Sequence, residues 1–378
     1  MLFRNNRITV LFIVVFAVAI ITILLLYFSD KSDNKSNIAN SLMGSSLSSR
    51  EDMVLLMLGR VFTDSRGLIW DRIEQGIPKG NALLESMGQL MQYAALSGNE
   101  ELFACSWHIT KEYMRSPRGY FYWRVGTGKN ERDDATALVD EMRIINSLSG
   151  AARIFNNSVY DSEARKMTQT VSRYNVEADH LHDAYEGKSE TRDGRISLFF
   201  IDPNALREMA RLEPAFGIVA QNTLKILQEA PADEHGFFPT WYQYQTGEYN
   251  YSPEVNMVEA LYTARNAREA GRDISPFMFF LRNEISNNRI YNSYNRDGTP
   301  ANDFESTAVY ALACRLFLDE KDIDSAKKCY DRMVDYQITE QTNPFRGGFG
   351  DIDSLTFYAF DQLEALLALH IGGKLLVE

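Results

Sequence analysis

Carboxylates at the start of predicted helices are the residues of this sequence best suited to chemistry. Glu85 opens one helical pattern among Leu and Met residues, which can exclude water from its side chain. Asp140 and Glu141 open a second pattern, and Glu254 follows Pro253 at the start of a third. Hydrolysis of a glycosidic bond normally needs two carboxyl groups, one as an acid and one as a base. A partly desolvated carboxyl keeps its proton near neutral pH, so Glu85 is the candidate acid. The alternative for Glu85 is an exposed first-turn residue favoured by the helix dipole.

Aromatic residues between the helical patterns are the second group of candidates. Pyranose rings present apolar C–H faces, so glycan clefts are lined with Trp and Tyr side chains. Tyr122, Trp123 and Arg124 lie in one such segment, and Trp241 and Tyr251 lie in later ones. We therefore expect these five residues to bind substrate.

Composition and spacing disfavour other classes of function. The formal net charge is −12, whereas binding to nucleic acid or anionic lipid needs a basic face. His180 and His182 would diverge by about 200° on a helix, which disfavours a shared metal ion. The sequence contains no phosphate-binding loop and no Cys–His pairing of note. We expect no metal, no cofactor and no nucleic-acid partner.

Helical periodicity indicates the elements that must position these residues. Few segments read as strands, and the aromatic segments lie between helices, so we predict an all-α fold in which such connections form the functional face. Pairs such as Asp202-Pro203, Ser252-Pro253 and Ser275-Pro276 are typical of helix starts. The predicted helices are 50–61, 81–96, 100–114, 136–155, 162–179, 203–212, 214–230, 253–270, 276–290, 304–318, 323–336 and 353–370.

Several of these segments resemble motifs of glycoside hydrolase family 8. Residues 85–91 are similar to the family's E-G-x-G-Y-G-M segment, with Glu85, Gly88 and Met91 matching. Residues 120–124 resemble its aromatic-W-R-W segment, and residues 357–369 resemble its closing helix. The family signature that ends in [FW] is matched by Ile144, Ser147, Leu148, Ala151 and Phe155.

This resemblance implies an (α/α)6 toroid that hydrolyses β-linked glycans with inversion. It implies that Glu85 is the proton donor and that Glu254 falls at the position of the general base. Glu141 falls on an Asp of the signature and would bind the distorted sugar at the central subsite, with Asp140 beside it. The chain resembles above all the divergent, membrane-anchored members encoded with bacterial exopolysaccharide synthesis machinery. A polysaccharide substrate is therefore expected, and a polysaccharide synthase or export complex is an expected partner.

The N-terminus predicts a membrane anchor. Residues 8–28 carry no charge, and they would span roughly 31 Å as a helix, enough to cross a bilayer. Residues 1–7 contain Arg4 and Arg7 and are expected in the cytoplasm, which places the rest outside the cell. Residues 29–46 read as a flexible linker and residues 47–378 as one domain. A cleaved signal peptide is the alternative.

Two other functions compete with hydrolysis. Val139, Glu254 and Met257 depart from the family motifs, which favours a non-catalytic glycan-binding subunit of a synthesis or export complex. A polysaccharide lyase on a similar toroid would need a Tyr or His base near a basic clamp. The acidic composition and the five His residues speak against the lyase.

Overall fold

The computed structural model describes residues 49–126 and 131–376, and this part of the chain contains twelve α-helices. A π-helical turn, Leu58–Phe62, extends the first of them, and the short 3₁₀ helices Leu198–Phe200 and Pro214–Phe216 precede two others. The α-helices are α1 (Arg50–Met57), α2 (Leu84–Leu96), α3 (Glu100–Met114), α4 (Leu138–Ile154), α5 (Ser158–Tyr174), α6 (Pro203–Leu212), α7 (Gly217–Glu229), α8 (Met257–Glu269), α9 (Ser275–Ser286), α10 (Thr307–Asp319), α11 (Ile323–Asp335) and α12 (Ala359–Leu376).

The even-numbered helices form a closed inner ring. Each packs against the next in chain order, from α2 to α12, and α12 packs back against α2. The odd-numbered helices lie outside, for example α3 on α2, α5 on α4 and α11 on α10. Because an outer helix returns the chain between successive inner helices, the inner helices run in one direction and begin on one face. The predicted helical toroid is confirmed. In a ring of six, α2 and α8 face each other across the axis.

Short strands lie in the connections between the helices of this mainly helical fold. The largest sheet has the order β13-β1-β2-β3, and its β1–β2 hairpin pairs Glu74 with Ile77. Gln75 and Gly76 form the turn with φ of 51° and 75°, the left-handed pair that a tight hairpin requires. The strands are β1 (Trp70–Glu74), β2 (Ile77–Leu83), β3 (Arg124–Val125), β4 (Val176–Glu177), β5 (His180–Leu181), β6 (Tyr185–Glu186), β7 (Thr191–Arg192), β8 (Arg195–Ser197), β9 (Trp241–Gln243), β10 (Glu248–Asn250), β11 (Glu254–Asn256), β12 (Ser293–Asn295) and β13 (Phe357–Tyr358).

One predicted helix start is wrong in a way that matters for the site. The helix expected from Pro253 begins at Met257, because residues 254–256 pair with β12 in antiparallel register. Its N-cap is Asn256, whose Oδ1 accepts from the Val258 N–H at 3.0 Å. The Ser252-Pro253 pair therefore marks a turn before a strand.

The predicted N-terminal segments 1–7, 8–28 and 29–46 lie outside the described residues. Within the residues that the structure describes, no helix is both long enough and apolar enough to cross a membrane.

Candidate active site

Glu85 lies in the first turn of α2, on the face where the inner helices begin. The segment before α4 holds this turn, because the Leu84 N–H donates to the Trp123 carbonyl at 2.9 Å. Although 29% of the Glu85 side chain is exposed, burial raises the pKa of its carboxyl to about 7, and the nearby Asp140 carboxylate adds to the rise. A large fraction of Glu85 therefore carries a proton at neutral pH, the state that a general acid needs.

Arg143 connects Glu85 to Asp140. Its Nη1 lies 3.0 Å from Asp140 Oδ1 and 3.9 Å from Glu85 Oε1. The arginine passes close to α2 at Gly88, where a Cβ would come within 3.3 Å of Arg143 Cδ. Burial raises the pKa of Asp140 to about 6, and Arg143 opposes the rise. The glycine of the motif thus leaves room for the arginine beside the candidate acid.

Glu141 points into the protein. Only 1% of the residue is exposed, and its Oε1 accepts from the Phe121 N–H at 3.3 Å. Its Oε2 has no hydrogen-bond partner among the described residues, and burial raises the pKa of the carboxyl to about 8. In this arrangement the Glu141 carboxyl is enclosed by protein, and its expected role at the central subsite stays a prediction. Successive helical residues diverge by about 100°, and Asp140 is the one of the two that reaches Arg143.

Two cavities lie on the face where the inner helices begin, and we treat them as two arms of one groove. The first, which we call the tryptophan arm, has a volume of about 620 Å³ and contains Trp123, Trp241, Asp183 and Glu259 among its lining residues. The second, which we call the acidic arm, has a volume of about 1140 Å³. Its lining includes the first-turn residues of α10 and α12, the aromatic residues Phe304, Tyr336, Tyr358 and Phe360, and the acids Glu305, Asp335, Asp351, Asp353 and Asp361.

Both arms border the start of α8. The start of α8 contributes Val258 to the acidic arm and Glu259 to the tryptophan arm. In the ring, α2 lies between α4, which borders the tryptophan arm, and α12, which borders the acidic arm. Glu85 therefore begins the helix between the two arms, although it is not among the residues that line either of them, and Glu259 lies in the helix on the opposite side of the ring.

Glu259 was not singled out in the sequence. Its side chain is half-buried in the first turn of α8, and burial raises its pKa. No hydrogen bond or ion pair to its carboxylate is found among the residues that the structure describes. One turn further along α8, the Tyr262 hydroxyl donates to Glu364 Oε1 at 2.6 Å, and the Tyr262 ring lies 6.0 Å from the Arg143 guanidinium. This face of α8 therefore points toward the ring axis and toward the residue that contacts Glu85.

Glu254 lies on β11 and is exposed. Its Oε2 accepts from the Ser293 hydroxyl at 3.3 Å. It is not among the residues that line either arm. As a candidate base it is therefore placed on a surface hairpin beside the groove.

The predicted aromatic platforms divide into exposed and buried residues. Trp123 and Trp241 both line the tryptophan arm. Tyr122 is buried against Tyr120, with ring centroids 6.0 Å apart, because successive residues of an extended segment point to opposite sides. Its predicted contact with substrate stays a prediction, and its ring is placed in the core in this structure. The Arg124 guanidinium lies 4.6 Å from the Trp123 ring and supports it.

Tyr251 remains near the groove but lines neither arm. Its side chain is exposed, and the Arg296 guanidinium lies 4.3 Å from the centre of its ring. One face of this ring is therefore already covered by the protein.

Asp183 is a site residue that sequence reasoning missed. Its Oδ1 accepts from the Ser197 N–H at 2.7 Å and its Oδ2 accepts from the Ser197 hydroxyl at 2.6 Å. Burial raises its pKa to about 7, and its backbone carbonyl accepts from the Leu138 N–H at the start of α4. The available signal is its place directly after His180-x-His182, a pattern that suggests metal binding more readily than sugar binding. In the described part of the chain no group of three His, Cys, Asp or Glu residues is placed to hold a metal ion.

Comparison with known proteins gives one sequence relative and many related structures. No protein-family model matches the sequence. YdaJ of Bacillus subtilis strain 168, which is provisionally named a lipoprotein, is 29% identical over 291 residues, covering 76% of this chain and 78% of YdaJ.

Solved structures share the fold. An α-amylase from Clostridium perfringens, described as novel, has a TM-score of 0.78 and 22% identity, covering 86% of this chain and 98% of its own. PssZ from Listeria monocytogenes has a TM-score of 0.70 and 21% identity, covering 86% and 96%. The family 8 endoglucanase Cel10 from Klebsiella pneumoniae has a TM-score of 0.56 and 14% identity, covering 80% and 95%. The expected resemblance to glycoside hydrolase family 8 is thus confirmed as a shared fold.

Proposed function

We propose that this protein is a glycoside hydrolase that cleaves a polysaccharide bound along the groove, with Glu85 as the general acid. The observation that carries the proposal is a carboxyl with a pKa of about 7 in the first turn of α2, whose ring neighbours α4 and α12 border the two arms. A polysaccharide that occupies both arms would have sugar residues on both sides of a bond beside Glu85, so the proposal favours cleavage within the polymer. Asp140 and Arg143 set the charge around the acid, and Trp123 and Trp241 stack against sugar rings.

Glu259 is the base that the geometry favours. An inverting mechanism needs a second carboxylate on the far side of the sugar ring, roughly 6.5–9.5 Å from the acid, to activate a water molecule. Glu259 lies across the ring axis from Glu85 and has no competing partner among the described residues. Glu254, expected from the family resemblance, is the second candidate and would need its hairpin to bend over the groove.

The linkage has two candidates. The resemblance to family 8 favours a β-linked glycan. The similarity to the α-amylase from Clostridium perfringens, with a TM-score of 0.78, favours an α-linked glucan. Both kinds of polymer belong in the first assay.

Attachment to the cell membrane through residues 8–28, with the toroid outside the cell, remains part of the proposal. The provisional lipoprotein name of the Bacillus subtilis relative supports membrane attachment. A synthesis or export complex for polysaccharide is the proposed partner. Fractionation of cells that express the chain with and without residues 1–46 tests the anchor, because only the full chain should sediment with membranes.

The test of function is release of new reducing ends. Residues 47–378 are incubated with β-1,4-glucan, xylan, a β-glucosamine polymer, starch and the exopolysaccharide of the source cells. We expect release from one class of polymer, and we expect Glu85→Gln to abolish it. Glu101→Gln, an exposed residue in the first turn of outer helix α3, is the matched control and should behave as wild type. Binding without release by the wild type would replace hydrolysis with the glycan-binding function.

A further inference from the structure

A second cavity lies on the ring axis behind the groove. Its volume is about 240 Å³, and it follows the inner face of α4 from Val139 to Ile154. Phe199 and Phe200 line both this cavity and the tryptophan arm, so they separate the two. We call it the rear chamber. Its polar lining includes the four arginines Arg143, Arg153, Arg265 and Arg315 and the neutral donors Gln92 and Asn146.

The rear chamber opens on the face opposite the groove. Arg153, at the C-terminal end of α4, lines it and is 57% exposed. Leu96, at the C-terminal end of α2, also lines it and is exposed. Because both helices begin at the groove, their C-terminal ends mark the other face, and the lining of the rear chamber reaches solvent there.

The charge of the rear chamber is opposite to that of the chain. Four guanidinium groups line it, against the single carboxylate of Asp202, while the whole chain has a formal net charge of −12. Asp202 caps the N-terminus of α6, because its Oδ1 accepts from the Asn204 and Ala205 N–H groups at 2.8 and 3.1 Å. The acids that pair with Arg153, Arg265 and Arg315 are outside the lining.

These arginines keep donors free for a ligand. Arg315 is only 4% exposed, yet its Nε has no hydrogen-bond partner among the described residues. Its Nη1 donates to Glu364 at 2.7 Å. Arg265 donates through Nε to Asp319 at 3.0 Å, and Arg153 donates through Nη1 to Glu208 at 2.9 Å. A guanidinium has five N–H donors in a planar fork that suits oxyanions, so each arginine retains unused donors.

We propose that the rear chamber binds a tetrahedral oxyanion, namely a phosphoryl group, either free or carried by a small sugar. Burying charged arginines is costly unless an anion compensates them, and the partial pairing described above leaves room for one more anion. The neutral donors of Asn146 and Gln92 suit the hydroxyls of an attached sugar. Arg143 lines the chamber and also contacts Glu85, so the anion site and the groove share one residue. The proposal concerns binding and does not depend on hydrolysis.

The test is calorimetric titration of the unmodified chain with inorganic phosphate and, separately, with glucose 1-phosphate. We expect saturable binding of at least one of them. Arg153→Gln and Arg265→Gln should each weaken it at least about tenfold, as expected for loss of a charge-assisted hydrogen bond. Binding of glucose 1-phosphate alone would assign the phosphoryl group to a sugar phosphate, and binding of both would assign it to phosphate in general.

Arg211→Gln is the matched control. Arg211 donates to Glu208, as Arg153 does, but it lies outside the chamber. Its replacement should leave binding unchanged, and circular dichroism should show all variants folded. The absence of saturable binding by either ligand, or equal loss in the Arg211 variant, would overturn the proposal. The titration contains no polysaccharide, so its outcome can be distinguished from a failure of the hydrolysis assay.

Discussion

The protonation of Glu85 is set by a few neighbouring groups. Burial raises its pKa, the Asp140 carboxylate raises it further, Arg143 opposes the rise, and Glu364 adds a smaller increase. The positive charge of Arg143 is shared between Asp140 and Glu85, because its Nη1 contacts both carboxylates. Asp140 is therefore expected to act on the reaction through the acid, by keeping Glu85 protonated.

Replacing Asp140 should change the pH dependence of hydrolysis. Activity that needs protonated Glu85 falls as the pH rises through the pKa of Glu85, about 7 in the native protein. Asp140→Asn removes a negative charge and leaves Arg143 in place, so this pKa should drop and the alkaline limb should move to lower pH. The measurement is the pH profile of kcat/KM.

Asp193→Asn is the control for this shift. Asp193 lines the tryptophan arm but is not among the charges that act on Glu85. An alkaline limb that stays in place in Asp140→Asn, or that moves equally in both variants, would contradict the assigned role of Asp140.

Single residues show how far the sequence could predict the site. Glu85 and Gly88 could be found because the motif spacing places both on one helix. The choice between Asp140 and Glu141 could not be made, since one residue of offset rotates a side chain by about 100° on a helix. Glu259 could not be found from the sequence, because its candidate role depends on α8 lying across the ring from α2. No local sequence pattern indicates that placement.

Two glycines of the inner helices, Gly88 in α2 and Gly150 in α4, differ in the space around them. Gly88 in α2 has Arg143 and Ile144 within 3.3 Å of an added Cβ, whereas Gly150 in α4 has nothing within 4 Å. Both positions lie inside helices, where Ala is favoured over Gly by about 1 kcal/mol. The two positions therefore share the same helix preference for Ala and differ in whether a Cβ has room.

The two Gly→Ala changes should have opposite effects on stability. Gly150→Ala should raise the free energy of unfolding by about 0.5–1 kcal/mol. Gly88→Ala should lower it, because Arg143 and Ile144 must shift, and it should also slow hydrolysis by moving Arg143. Urea unfolding of the two variants measures this, each serving as the control for the other. Equal stabilisation by both would contradict the packing of α2 against α4.

Periodicity predicted the helices well and the strands poorly. Residues 100–114 and 203–212 were predicted with the bounds that the structure has, because their apolar faces repeat over several turns. Strands of two or three residues leave no such repeat. The helix expected at Pro253 illustrates this, since Val255 pairs with Tyr294 of a distant segment, and that pairing is not visible in the local sequence.

The whole molecule closes on itself. The first and last described helices, α1 and α12, pack together. The Arg50 Nη1 donates to Gln337 Oε1 at 3.0 Å, and the Glu51 carboxylate lies 3.0 Å from the His370 ring. Helical periodicity predicts twelve helices, but closure of the ring depends on these long-range contacts.

Ring closure should make unfolding cooperative. Residues 47–378 should unfold in urea in one transition that circular dichroism and tryptophan fluorescence report at the same midpoint. A chain that ends at Ser354 lacks β13 and α12, so it should fail to form the native structure. Two separate transitions for residues 47–378, or a native-like spectrum of the shortened chain, would contradict a single closed toroid.

The central claim is that Glu85 protonates the leaving oxygen, and the dependence on the leaving group tests it most directly. Wild type and Glu85→Gln are compared on two substrates. The first is the polysaccharide that the wild type cleaves, and the second is a 2,4-dinitrophenyl glycoside of an oligosaccharide of the same sugar. The second substrate releases 2,4-dinitrophenolate, a leaving group that needs no proton. We predict a loss of roughly 10²–10⁴-fold on the polysaccharide and a much smaller loss on the dinitrophenyl substrate. Equal losses on both substrates, or no loss on the polysaccharide, would contradict Glu85 as the general acid.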